Sequence, residues 1–152
     1  MSVPRSPNDG DETRDSFYRG RFCILQRRTG YRFSVDAPLL ADFVRTRPSD
    51  EILELGTGSG VISILLSIKP FERITAVEIQ EGLADLARRN VALNGLESRI
   101  GTVRADFRTW DPGRKFDVVF ANPPYIRGRA GRLSASEEKS LAKHEINCDI
   151  FD

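Results

Sequence analysis

From residue 51 onward, short apolar runs alternate with longer segments of helical period. Residues 51–55 (EILEL) predict a buried strand, 61–68 (VISILLSI) an apolar helix stopped before Pro70, and 73–79 (RITAVEI) a second strand. In residues 80–94 (QEGLADLARRNVALN), Leu83, Leu86, Ala87 and Val91 fall on one helical face, and Asn94-Gly95 ends the helix. Residues 99–105 (RIGTVRA) predict a weaker third strand and 115–121 (KFDVVFA) a fourth. The loop NPPYIRGRAGR follows, then a polar helix around SEEKSLAKHEI. Strands alternating with helices predict parallel βαβ units, and so an α/β fold with a doubly wound, mostly parallel sheet.

The first part of the chain is less regular. Residues 1–16 (MSVPRSPNDGDETRDS) are polar and have little to bury, which predicts a disordered tail. Residues 22–35 (FCILQRRTGYRFSV) place two apolar-aromatic runs around a glycine turn, a hairpin or two extended segments. Asp36 then stands as N-cap to a short helix beginning APLL, with Pro38 in its first turn. The expected organisation is a tail over 1–16 and a partial domain over 17–152. A nucleotide-binding sheet carries more strands beyond its switch point than the four found here. The chain is therefore expected to lack C-terminal strands of its fold.

Composition narrows the class only a little. At 152 residues and 39% hydrophobic, one soluble globular domain is expected. Lys and Arg number 23 against 22 Asp and Glu, so any nucleic-acid partner must be met by local clusters rather than a global field. Cys23 and Cys148 lack metal-ligand spacing and read as ordinary reduced thiols. No apolar run is long enough to span a membrane, and a cytoplasmic location is expected by exclusion.

The chemistry lies where strands end. The loop Gly56-Thr57-Gly58-Ser59-Gly60 joins a strand to a helix, where missing side chains let backbone approach a ligand. Alone, it is equally a tight turn. Val61 stands where a dinucleotide-binding GxGxxG loop would place its third glycine, which weighs against a nicotinamide cofactor. Glu78 ends the second strand about 20 residues on, placed to accept hydrogen bonds from ribose hydroxyls. Asp106, after the third strand, could take the amino group of an adenine, or simply cap a turn. Asn122-Pro123-Pro124-Tyr125 follows the fourth strand. An aromatic amine is a poor nucleophile because its lone pair is delocalised. Acceptors aimed at its protons, here the Asn122 side-chain oxygen and the Pro123 carbonyl, can free that lone pair. The prolines hold the loop extended and remove competing N–H groups, and Tyr125 offers a face on which a flipped base can stack.

These motifs together, ELGTGSG, VEIQ, RADF and NPPY, resemble the class I S-adenosylmethionine-dependent methyltransferases that act on amino groups. The segments LQRRTGYRFSVDAPLLADF, VEIQEGLADLARRNVALNGLESRI, FDVVFANPPY and KSLAKHE are similar to the bacterial tRNA1(Val) adenine-N6 methyltransferase family, which modifies the adenine next to the anticodon. That resemblance runs from about Phe22 to Glu145 and implies a Rossmann-like fold. It implies that Glu54, Gly56, Thr57, Gly58, Gly60, Glu78 and Asp106 line the S-adenosylmethionine site, with Arg32 to Asp36 near the cofactor's methionine end. Asn122, Pro123 and Tyr125 would handle the target amine by direct in-line transfer, with no metal and with the anticodon loop of a tRNA as partner. The family also continues past the KHE helix.

Arginines bear on that partner. Arg19, Arg21, Arg27, Arg28 and Arg32 interleave with Phe17, Tyr18, Phe22, Tyr31 and Phe33, and Arg127, Arg129 and Arg132 follow the NPPY loop. The mixture suits phosphates and unstacked bases, though solvated surface arginines would look the same. His144 sits on a polar helix and reads as structural or exposed. Three rival functions remain: glutamine-N5 methylation of release factors, which resembles the same core behind a helical domain; a dinucleotide oxidoreductase, which leaves NPPY idle; and a non-catalytic cofactor-binding fragment.

Overall fold

The computed structural model describes residues 11–30 and 32–123. Strands β1 (Glu12–Phe17) and β2 (Phe22–Arg27) form an antiparallel hairpin. Helix α1 (Asp36–Phe43) follows, then β3 (Glu51–Leu55), α2 (Val61–Leu66), β4 (Arg73–Glu78), α3 (Glu81–Leu93), β5 (Ile100–Arg104) and β6 (Val118–Ala121). The four later strands make one parallel sheet in the order β5-β4-β3-β6. The expected βαβ alternation is thus present, and the crossover from β5 back past β4 and β3 to β6 is the switch that opens a crevice at the strands' carboxyl ends.

Register explains both the core and the site. Ile100, Ile74, Ile52 and Val118 stand side by side across all four strands, a β-branched row suited to a pleated, covered surface. Two residues further along, the same face carries Thr102, Ala76, Glu54 and Phe120. Within that second row Ala76 and Phe120 stay in the apolar core, while β3 brings the carboxylate of Glu54 beneath the loop that follows it. Helix α2 has every residue buried, which fits its nearly unbroken apolar sequence. It packs against α1, α3 and β2, and shares one apolar cluster with Ile52, Ile74 and Phe120 of the sheet and Phe22 and Ile24 of the hairpin. The Lys69 ammonium closes α1 by donating to the carbonyls of Ala41 (2.8 Å) and Val44 (2.7 Å), a cation where the helix dipole favours one.

Three expectations are corrected. The segment expected as a disordered tail is strand β1 from Glu12 onward, while residues 1–10 lie outside the described ones. The partner of residues 22–27 is therefore this preceding segment, not the run beyond Gly30. The charged strand is held by tertiary contacts: Glu12 pairs with Arg89 of α3 at 2.5 Å, and Arg32 reaches back to Thr13 (3.0 Å) and Asp15 (3.2 Å). Lastly, Asp36 is the first residue of α1 rather than its N-cap, and its carboxylate accepts the Ser34 hydroxyl at 2.7 Å. Its charge still lies in the first turn, where the dipole favours it.

Candidate functional site

The glycine loop leaves β3 and enters α2 through three left-handed residues, with φ of +67° at Gly56, +59° at Gly58 and +81° at Gly60. Side chains rarely adopt that geometry, so the alternating glycines are a backbone requirement. They differ in surroundings. A Cβ on Gly60 would meet Ala87 of α3 at 3.3 Å, whereas one on Gly56 would meet nothing within 4 Å. Gly60 is pressed against the scaffold, and Gly56 faces open space that a ligand can enter.

The loop is tied down from four directions. The Thr57 N–H donates to the Val77 carbonyl (2.9 Å) and the Gly60 N–H to the Thr57 carbonyl (3.0 Å). The Gly58 N–H donates to Glu78 Oε2 at 2.8 Å. The Thr57 hydroxyl donates to Glu54 Oε2 at 2.7 Å, and the Ser63 hydroxyl donates to the same oxygen. The Ser59 carbonyl accepts from Asn90 Nδ2 at 2.9 Å. Such a loop meets a ligand with little reorganisation to make.

The two glutamates differ in role. Glu54 is 1% exposed, beneath the loop, and burial pushes its carboxyl from 4.5 up to about 7, against the pull of the Ser63 and Thr57 hydroxyls and with help from the Glu78 charge. It braces the loop. Glu78, also buried, ends β4 and receives the Gln80 N–H on Oε1 at 2.9 Å as well as the Gly58 N–H on Oε2.

Asp106 follows β5 in a turn that its own carbonyl closes, accepting the N–H groups of Thr109 (3.1 Å) and Trp110 (2.9 Å). Its carboxylate takes two bonds from the Arg108 guanidinium (2.9 and 2.7 Å) and one from the Arg108 N–H, which hold it below the usual carboxylate range. The turn-capping alternative is thus realised here. Asn122, half-buried, and Pro123, exposed, follow β6, whose Ala121 is level with Leu55 in the sheet register. The structure therefore brings Gly56–Gly60, Glu78, Asp106, Asn122 and Pro123 to the carboxyl ends of the parallel strands. Tyr125 lies outside the described residues, as do Tyr31, Arg127, Arg129, Arg132, His144 and Cys148.

The arginine-aromatic mixture divides. Phe22 is core, Phe17 packs on Phe33 at 5.2 Å, and Arg32 stitches the hairpin. Tyr18, Arg19 and Arg21 are exposed at the hairpin turn, where Tyr18 and Arg19 take positive φ of 49° and 57°. Among the described residues no group of three His, Cys, Asp or Glu could hold a metal ion, and no helix is long and apolar enough to cross a membrane. Sequence reasoning missed Asn90. Its signal was a polar residue inside the apolar stripe of Leu83, Leu86, Ala87 and Val91.

A family model described as the methyltransferase small domain matches residues 32–142. A tRNA1(Val) (adenine(37)-N6)-methyltransferase of Bacteroides thetaiotaomicron is 32% identical over 127 residues, covering 82% of this chain and 52% of its own. One of the same name from Flavobacteriaceae bacterium (strain 3519-10) is 29% identical over 126 residues, with the same shares covered. The chain spans about half the length of the curated relatives it matches. Among solved structures, the M. jannaschii tRNA m1G37 methyltransferase superposes with a TM-score of 0.61 at 20% identity, over 79% of this chain and 36% of that one. At that identity the likeness shows the fold alone, the Rossmann-like α/β sheet of class I methyltransferases expected from the sequence.

Proposed function

Since the chain belongs to the methyltransferase small-domain family, we propose that it carries the cofactor-binding and amine-polarising elements of an S-adenosylmethionine-dependent tRNA adenine-N6 methyltransferase. The observation that carries this reading is the convergence of the pinned glycine loop, Glu78 and Asn122 at the carboxyl ends of adjacent parallel strands. The similarity to the curated tRNA1(Val) enzymes supports the target, an adenine beside the anticodon.

The residues present fit the cofactor: the space above Gly56 is open, and the Glu78 carboxylate is fixed beside the loop at the end of β4. S-adenosylmethionine supplies an already activated methyl group, so the protein needs no covalent intermediate and contributes proximity and alignment. Gly56, Thr57, Gly58 and Gly60 offer close backbone, Glu54 holds the loop, and Glu78 accepts the ribose hydroxyls. Asp106 takes the adenine amino group through acceptor positions that Arg108 leaves. Asn122 Oδ1 and the Pro123 carbonyl accept the protons of the target amine and draw it towards tetrahedral geometry, and Tyr125 stacks on the extruded base. Extrusion from a partly unpaired anticodon loop costs at most a few kcal/mol.

The test offers tRNA, a release-factor protein and duplex DNA with labelled methyl donor, followed by nucleoside and amino-acid analysis. It is run on this chain and on a version extended to the relatives' length. Label in N6-methyladenosine from tRNA is expected. Label in protein glutamine would assign the chain to the rival reaction.

A further inference from the structure

We propose that Asn90 is a positioning residue that couples the N-terminal hairpin to the glycine loop, so that ligand occupancy of the loop and docking of the hairpin reinforce each other. The proposal rests on the reading of the loop as the cofactor site.

Asn90 is wholly buried in α3, and its amide makes three hydrogen bonds. Oδ1 accepts the Leu25 N–H at 2.7 Å, and Nδ2 donates to the Leu25 carbonyl at 3.0 Å and to the Ser59 carbonyl at 2.9 Å. One side chain therefore holds β2 and the loop together. Asn94, one helical turn on, repeats half of the arrangement. It accepts the Cys23 N–H at 2.9 Å and donates to the Cys23 carbonyl at 2.8 Å, but its remaining proton goes to the Asn90 carbonyl at 2.7 Å. The two amides act as a surrogate strand along β2, pairing with alternate residues as a real strand would. They thus form a matched pair: both dock the hairpin, and Asn90 alone of the two touches the loop.

The bond to Ser59 has leverage because of where it falls. It fixes the peptide plane between Ser59 and Gly60, whose N–H closes the loop onto the Thr57 carbonyl. Gly60 has no side chain to restrain that plane, so without Asn90 the loop gains conformers in which its backbone no longer faces the ligand. Apparent affinity then falls by the fraction of time the competent conformer is lost. Reciprocity requires the converse: a ligand that selects the competent loop must hold Asn90, and through it Leu25.

The experiment measures amide hydrogen exchange on the chain with and without S-adenosylhomocysteine, alongside affinity by titration, for wild type, Asn90→Ala and Asn94→Ala. In wild type, saturating ligand should slow exchange of the Leu25 amide by about fivefold or more, a coupling of ordinary size. Both substitutions should speed exchange in the hairpin. Asn90→Ala should also speed exchange at Gly58 and Gly60 and weaken ligand binding by roughly tenfold, while Asn94→Ala leaves binding within about twofold. An unchanged Leu25 amide, or equal losses of affinity in the two variants, overturns the proposal. If wild type binds no S-adenosylhomocysteine, that failure belongs to the functional reading. The coupling is then decided by the unliganded Gly58 and Gly60 amides: faster in Asn90→Ala alone supports it, and equal rates in both variants overturn it. Should Asn90→Ala not fold, the wild-type response of Leu25 decides.

Discussion

The Gly58 N–H points at Glu78 Oε2 across 2.8 Å, joining the loop that follows one strand to the last residue of the next. A single carboxylate thus ties the loop to the end of the neighbouring strand, and it is also the group proposed to accept the ribose hydroxyls. Replacing Glu78 with Ala should remove both. Two lost ribose hydrogen bonds to a charged acceptor, at about 1.5–3 kcal/mol each, predict at least a hundredfold loss of S-adenosylhomocysteine affinity by calorimetry. Glu78→Ala binding within a few-fold of wild type would remove Glu78 from the site.

The loop glycines should separate stability from binding. Gly56→Ala and Gly60→Ala both force a left-handed residue, at about 1–2 kcal/mol, but only the second drives a methyl into Ala87 at 3.3 Å. Thermal unfolding should therefore show Gly60→Ala as the less stable. Gly56→Ala should lose more affinity relative to its loss of stability, because its methyl occupies the open space. A reversed order would mean that the ligand does not approach at Gly56.

How much of this could be read from sequence depended on whether a residue's partners were local. Strands β3, β4, β5 and β6 were legible because parallel strands covered on their faces are apolar runs whatever packs on them. The glycine loop and Asn122 were legible because a strand end followed by special backbone is itself a signal. β1 was not. Its sequence ETRDSF is mostly charged and polar, and it stays a strand through Arg89 and Arg32, which only the fold brings near it. Asn90 was hidden for the same reason, since its acceptors lie 65 and 31 residues away in sequence. Asp36 was misplaced by one residue because a carboxylate before a helix looks like a cap whether or not its oxygen meets an N–H.

Stability should fall as pH rises from about 4.5 to about 7, and Glu54 should be the cause. Its carboxyl is raised from 4.5 to about 7 by burial, so between those values the native state holds a proton that the unfolded chain has released. The stabilisation is complete below about pH 4.5 and gone above about pH 7, a swing of roughly 3 kcal/mol. In Glu54→Gln that slope should vanish. Denaturant titrations of the two proteins across this range give the difference directly. Parallel profiles would show that Glu54 ionises normally.

Asn122→Ala should leave cofactor affinity nearly unchanged while lowering kcat for methyl transfer to tRNA by about 10²–10³-fold, as for other donors and acceptors that act mainly at the transition state. Single-turnover kinetics with the extended protein separates the two quantities. A loss confined to cofactor binding would make Asn122 part of the cofactor pocket and leave only the Pro123 carbonyl to meet the amine.

On the proposed reading, the pinned glycine loop and Glu78 hold S-adenosylmethionine rather than a dinucleotide. Calorimetric titration of the folded chain, its fold verified by circular dichroism, separates the two. Saturable binding of S-adenosylhomocysteine, weakened by Glu78→Ala, is expected, with weaker or undetectable binding of NAD. Tighter binding of NAD, or a folded chain that binds neither, would contradict it.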